Sequence, residues 1–294
     1  MKTNFLSKQV AILPTSESNV LWRLHLVAGL LHTLQFVIVV VMITASVFPV
    51  NSGLIQLTRQ VTKWSNGGDG GGQSFVGNFT VSLVQVNSIR VDVKWMIATF
   101  FALAGLDHLS TIGICYWMPV SLQEVGARMR LLEYSVSGSL VAVSIAVQTG
   151  ITDLYTLCGI FFLLASCMLF GLLAEFLTVY EDLKWARLAH FLGWIPFVAG
   201  YWPILDAYFT ALAISDTGVK PPWFVTVIVF SEFVLFCNFG LAQLLYLYGA
   251  KLCGWGKSSA RWYSEVAFLT LSILAKSTLA WNVLVPLVMR LNSI

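Results

Sequence analysis

A lysine in the middle of an apolar stretch is the first residue here whose type and setting suggest chemistry. Lys276 lies in the run from Leu269 to Leu287, which is otherwise apolar apart from a few hydroxyls and Asn282. A charged side chain at the bilayer centre costs at least ~2.5–3.5 kcal/mol, so it is expected where something pairs with it or neutralises it. A desolvated lysine amine can condense with an aldehyde to a Schiff base. The bland alternative is a structural lysine, paired to a carboxylate or snorkelling to a headgroup. Glu133 is the candidate partner. The pattern Ser121-Leu122-Gln123-Glu124 after Pro119 is a capping box that starts a helix near residue 122. At 1.5 Å per residue Glu133 is then about 17 Å along that helix. A helix starting near Arg261 on the same side puts the Lys276 backbone about 21 Å deep, its side chain tilted back toward the helix N-terminus. The two charges meet at one level, as lysine and counterion or as a plain salt bridge.

Other polar residues sit at membrane depth. His32 and His108 each lie about ten residues from one end of their spans, on the same side, and could line one polar cavity. Either alone reads equally as a hydrogen-bonded packing residue. Asp107 stands beside His108, while Asp206 and Glu232 fall in the opposite half of the membrane. With Glu133 these carboxylates could make a broken proton path, or they could face helix interfaces and headgroups. Ser272 precedes Lys276 by four residues and shares its helix face.

The elements that carry these residues follow from composition. The chain has 294 residues, 57% of them hydrophobic and 11% charged, with a mean hydropathy of +0.80, an apolar excess far above that of a soluble domain. Seven stretches are long enough to cross a hydrocarbon core, near 21–48, 94–118, 122–149, 153–179, 188–212, 223–248 and 262–290. The expected fold is all-α: one seven-helix membrane domain spanning 1–294. The first span is preceded by a polar segment and is too long for a signal-peptide core, so it reads as retained. Residues 49–93 form a long loop with a glycine-rich tip, Gly67, Gly68, Gly70, Gly71 and Gly72, followed by loose alternation over Phe75 to Val91 that reads as a hairpin over the outer mouth. The five cysteines show no disulfide or metal-type spacing. A net charge of +3 spread over loops gives no support for nucleic-acid binding.

Basic residues set the expected orientation. Lys2, Lys8, Arg23, Arg128, Arg130, Lys184, Arg187, Lys251, Lys257 and Arg261 fall on the N-terminal side, against Arg59, Lys63, Arg90, Lys94, Lys220 and Arg290 on the other. The N-terminus is therefore expected in the cytoplasm and the C-terminus outside. The acceptor pattern Asn78-Phe79-Thr80 on the loop assigned to the outside agrees.

The residues around the two charges resemble one family. The string Arg130-Leu131-Leu132-Glu133-Tyr134-Ser135-Val136-Ser137 and the string Leu274-Ala275-Lys276-Ser277-Thr278-Leu279-Ala280-Trp281 resemble the third and seventh helices of heliorhodopsins. Ala28-Gly29-Leu30-Leu31-His32 with Leu34-Gln35, His108, Leu169-Phe170-Gly171 with Glu175, and Phe236, Phe239 and Gln243 match as well. The likeness covers all seven spans, and the inverted orientation is that family's hallmark.

The resemblance implies all-trans retinal on Lys276 with Glu133 as counterion, and Ser272, Ser137, Phe236, Gln243 and Trp281 around it; packing alone would also explain the aromatics. In microbial pumps the position of Ser272 usually carries a second carboxylate, so a single carboxylate is expected here. Family members resemble photosensors with slow photocycles that form dimers, and their signalling partners are mostly unsettled. Gly138 departs from the family's serine, and Asp107, Asp206 and Glu232 are extra carboxylates. The leading reading is a light sensor without catalysis or net transport, and the second is a light-gated proton-conducting channel. A transporter would need corresponding breaks in two halves, which Pro196, Pro203 and Pro286 do not provide. A G-protein-coupled receptor is opposed by the orientation and by the absence of an Asn-Pro-x-x-Tyr pattern.

Overall fold

The computed structural model describes residues 15–49, 51–66, 73–76, 79–118, 122–180, 182–214 and 221–289. Seven helices follow one another as α1 (Thr15–Thr44), α2 (Val93–Trp117), α3 (Leu122–Gln148), α4 (Leu154–Val179), α5 (Leu183–Ala213), α6 (Trp223–Leu252) and α7 (Lys257–Met289). Each is long and apolar enough to span a membrane. Aspartates fix three of the starts. Asp92 accepts from Lys94 N at 3.0 Å, Asp153 from Thr156 N at 2.8 Å and Asp182 from Trp185 N at 3.4 Å, each satisfying an amide that a helix start leaves open. The Asp182 cap explains why α5 begins five residues before the apolar run near 188. Pro196 and Pro203 stay inside α5 and Pro286 inside α7.

The helices close a ring in chain order, with α7 returning to α1, and α3 reaches inward to touch α5, α6 and α7 as well as its neighbours. Glu133 on α3 and Lys276 on α7 can therefore meet across the interior. The loop between α1 and α2 is a sheet of β1 (Leu54–Asn66), β2 (Gln73–Val76) and β3 (Phe79–Asp92) in the order β1-β3-β2. The hairpin expected over Phe75 to Val91 is thus β2 plus most of β3, and its main partner is β1, which looked like loop because Arg59, Lys63 and several amides interrupt its apolar residues. Pairing runs antiparallel from Leu54↔Asp92 to Asn66↔Phe79, with an irregularity between Gln56 and Thr58. The glycine tip, Asn78 of the acceptor pattern, and Pro119 and Ser121 of the capping box lie outside the described residues.

The ribbon is fastened at its base. Gly53, at φ +75°, turns the chain into β1. Lys94 Nζ donates to Ser52 O and lies 3.2 Å from Asp92 Oδ2. Farther out, Thr58 N donates to Thr152 O at 2.9 Å, tying the ribbon to the α3–α4 connection. The ribbon-side half of the bundle interior is filled by large apolar side chains, among them Phe100, Phe101, Ile145, Leu164, Ile204 and Ile228.

Candidate functional site

Lys276 Nζ donates to both oxygens of Glu133, at 2.9 and 3.0 Å. Both side chains are at least 94% buried, being only 5% and 6% exposed, so the pair exchanges its Coulomb attraction in a medium that screens little. The nitrogen also stands 4.8 Å from the Tyr134 ring centre, whose hydroxyl donates to Phe268 O at 3.4 Å. Gln35 Nε2 donates to Ser277 Oγ at 2.8 Å, binding α1 to α7 beside the lysine. Ser137 Oγ and Ser272 Oγ are buried nearby without a hydrogen-bond partner among the described residues. An unpaired buried hydroxyl costs roughly 1–3 kcal/mol, which makes these atoms candidates for ligand contacts.

Through Phe268, which Tyr134 reaches, the site adjoins a cavity between α3, α4, α5, α6 and α7, walled by Leu131, Met168, Trp194, Phe197, Phe236 and Phe268. Its polar wall is closed on itself: His190 Nδ1 pairs with Gln243 Oε1 at 2.9 Å, Gln243 Nε2 donates to Gly171 O at 2.9 Å, and Trp194 Nε1 donates to His190 Nε2 at 3.2 Å. Gly240 lies against the Trp194 indole with no room for a Cβ. At Gly138 a Cβ would meet the Phe236 ring at 3.8 Å, an ordinary contact, so the site would also take a side chain's first carbon. Trp281 is half-buried and packs against the main core.

His32 and His108 stack with ring centres 5.8 Å apart, and Asp107 Oδ2 lies 3.6 Å from His108 Nδ1. The sequence reading brought these three together by depth but missed His25, whose Nδ1 is 3.3 Å from that of His108. Gly126 on α3 makes room for the His25 ring. Beyond it lies an ion network across α3, α4 and α7: Arg130 holds Glu265 at 2.6 and 3.2 Å, and Arg261 holds Glu175 at 2.6 Å and reaches Glu265 at 3.4 Å. Arg130 and Arg261, counted as flanking cations in the orientation argument, are buried ion-pair partners instead, as is Lys94 on the other side. For Arg130 and Arg261 the signal was in the sequence, since each is paired with a glutamate inside a span, but the pairings cross helices.

The remaining carboxylates do not join this band. Glu232 is fully buried in the ribbon-side half, and neither oxygen has a hydrogen-bond partner among the described residues. Asp206 is exposed on the outer face of α5.

A family model described as Heliorhodopsin matches residues 21–288. The chain belongs to the heliorhodopsin family. No curated protein matches it. As a heliorhodopsin it is a retinal-binding, light-responsive, multi-pass membrane protein, from a family of pigments rather than enzymes. The residues present fit retinal: a buried primary amine with a carboxylate in contact, two unpaired hydroxyls, and an aromatic cavity alongside.

Proposed function

We propose that this heliorhodopsin is a light sensor that holds all-trans retinal covalently on Lys276 as a protonated Schiff base, with Glu133 as its counterion. The observation that carries this reading is the buried contact of Lys276 Nζ with both Glu133 oxygens, linked through Tyr134 and Phe268 to an aromatic cavity. Bound retinal supplies visible absorption and a light-driven change of shape. The protein residues do the rest. Lys276 anchors, Glu133 stabilises a positive charge on the lysine nitrogen, and Ser137 and Ser272 offer hydroxyls to the same region. Phe236, Phe197 and Trp194 exclude water and confine the chromophore, with Gln243 and His190 closing the far wall and Trp281 buttressing the Lys276 helix.

A sensor is favoured over a proton channel because the extra carboxylates do not line one route. Glu232 is sealed from solvent without a hydrogen-bond partner among the described residues and Asp206 is exposed, whereas conduction needs successive polar sites. The reading extends to a single seven-helix domain without catalytic activity, with its N-terminus in the cytoplasm and its ribbon outside, working as a homodimer. Expression with retinal tests it. A visible pigment that resists hydroxylamine in the dark, with no steady photocurrent in the same cells at any voltage or external pH, is the expected result. A colourless product would remove the retinal reading, and currents that reverse with the proton gradient would replace the sensor with a channel.

A further inference from the structure

Asp107 is a carboxylate buried on α2, and neither of its oxygens has a hydrogen-bond partner among the described residues. Its nearest ionisable neighbour, His108 Nδ1, is 3.6 Å away, outside hydrogen-bonding distance. The charged groups that act on it through space come from both adjoining helices on that side, Lys276 and Glu265 on α7 and Glu133 and Arg130 on α3, and from α1 His25 and His32 reach it through His108. Arg130 and Glu265 are committed to each other by two hydrogen bonds. What remains is one cation, Lys276, and two carboxylates.

We propose that Asp107 is a reserve counter-charge for Lys276: a second carboxylate, supplied by α2, that carries the negative charge opposite the lysine nitrogen whenever Glu133 is neutral. Two carboxylates within mutual reach cannot both be ionised cheaply, so the charge state of one is set by the other. While Glu133 is ionised and doubly bonded to Nζ, it satisfies the lysine and opposes a charge on Asp107. Once Glu133 is neutral, the same buried cation has Asp107 as its remaining anionic partner, and leaving it uncompensated is the costlier arrangement. Ser272, one turn before Lys276 on the same face of α7, carries only a hydroxyl, so a second carboxylate has to come from another helix. Asp107 acts across the site without touching Nζ and is therefore a positioning residue for the charge. The proposal rests on the retinal reading for its colour readout alone.

The test uses the full chain as wild type, E133Q, D107N, E133Q/D107N and E133Q/D107E, each combined with all-trans retinal and titrated in halide-free buffer. D107N is expected to titrate close to wild type. E133Q should shift its band yet keep visible colour at neutral pH. In E133Q/D107N the colour should be lost at a pH at least ~2 units lower than in E133Q, a hundredfold change in proton affinity, and chloride should restore it. E133Q/D107E should titrate like E133Q. Coincident titrations of E133Q and E133Q/D107N would overturn the proposal. A second arm needs no retinal: infrared spectra of retinal-free E133Q with isotope-labelled aspartate carboxyls, compared with E133Q/D107N, read Asp107 directly. A carboxylate is expected, and a carboxylic acid at neutral pH would overturn the proposal. If wild type forms no pigment the retinal reading falls, while the infrared arm still decides the role of Asp107.

Discussion

The two halves of this bundle solve burial in opposite ways. Toward the ribbon the interior is packed with Phe100, Phe101, Ile145, Leu164, Ile204 and Ile228, and the carboxylate sealed within it, Glu232, has no hydrogen-bond partner among the described residues. Toward the opposite face the interior is built from charges: Arg130 with Glu265, Arg261 with Glu175, and the imidazoles of His25, His32 and His108 beside Asp107. Lys276 and Glu133 sit where the two regimes meet. An apolar core has one good packing and resists change, whereas a buried ionic network depends on the charge of each member and rearranges when one changes. Events at Lys276 should therefore be felt on the Arg130 side and resisted on the ribbon side.

The largest expected effect breaks the boundary itself. Lys276→Ala or Lys276→Arg should abolish the visible chromophore, since neither side chain forms a stable imine with an aldehyde; a mutant that kept a red-shifted, hydroxylamine-resistant band would refute the assignment. Next comes the charged half. Glu265→Gln leaves Arg130 buried without its anion and should cost ~3–5 kcal/mol, read as a large drop in thermal midpoint, while replacing Arg130 and Glu265 together by apolar residues of similar size should recover most of that loss. An additive double mutant would mean the pair is not coupled. In the apolar half the sign reverses. Glu232→Leu removes an unpaired buried carboxyl and should leave stability unchanged or raise it by ~1–3 kcal/mol; a comparable loss would point to a partner that Glu232 makes in the membrane.

The smallest effect is at the rim. Burial pushes the Asp153 carboxyl up slightly, but hydrogen bonds from Thr156 N and Oγ1 outweigh it and hold the group below the usual carboxylate range. A group depressed on folding adds stability above its unfolded value and loses it as the pH falls through its folded value. Asp153→Ala should accordingly cost ~1 kcal/mol at neutral pH and much less in acid. Melting curves at the two pH values check this, and an equal cost at both would refute it.

How far the sequence reveals this arrangement depends on whether a residue's meaning is local. The spans were legible because twenty apolar residues have one explanation, and Lys276 because a charge among them needs one. Glu133 could be matched to it by counting depth along two helices whose starts were marked. His25 was passed over because it lies near the start of a span, where a polar residue reads as interfacial. Arg130 and Arg261 read as flanking cations for the same reason, and only the packing of α3 against α7 reveals Glu265 between them. The strand β1 was hidden by Arg59, Lys63 and its amides, since a ribbon lying off the bundle keeps no strict alternation. Asp206 and Glu232 share a half of the membrane by counting, but which way a helix faces is fixed by its neighbours.

The junction of β3 with α2 has a mechanical side. No loop separates them: Asp92 ends the strand and caps the helix, and Lys94 clamps the corner to Ser52. The ribbon is thus a rigid extension of the helix that carries Asp107 and His108, and β3 alone, at 14 residues, extends it by about 45 Å. The tie from Thr58 to Thr152 is a second bearing near the pivot. A tilt of α2 by about 5° would sweep the far end of such a beam through about 4 Å, so a displacement too small to disturb the packed interior becomes, at the tip, one that a neighbouring molecule could register.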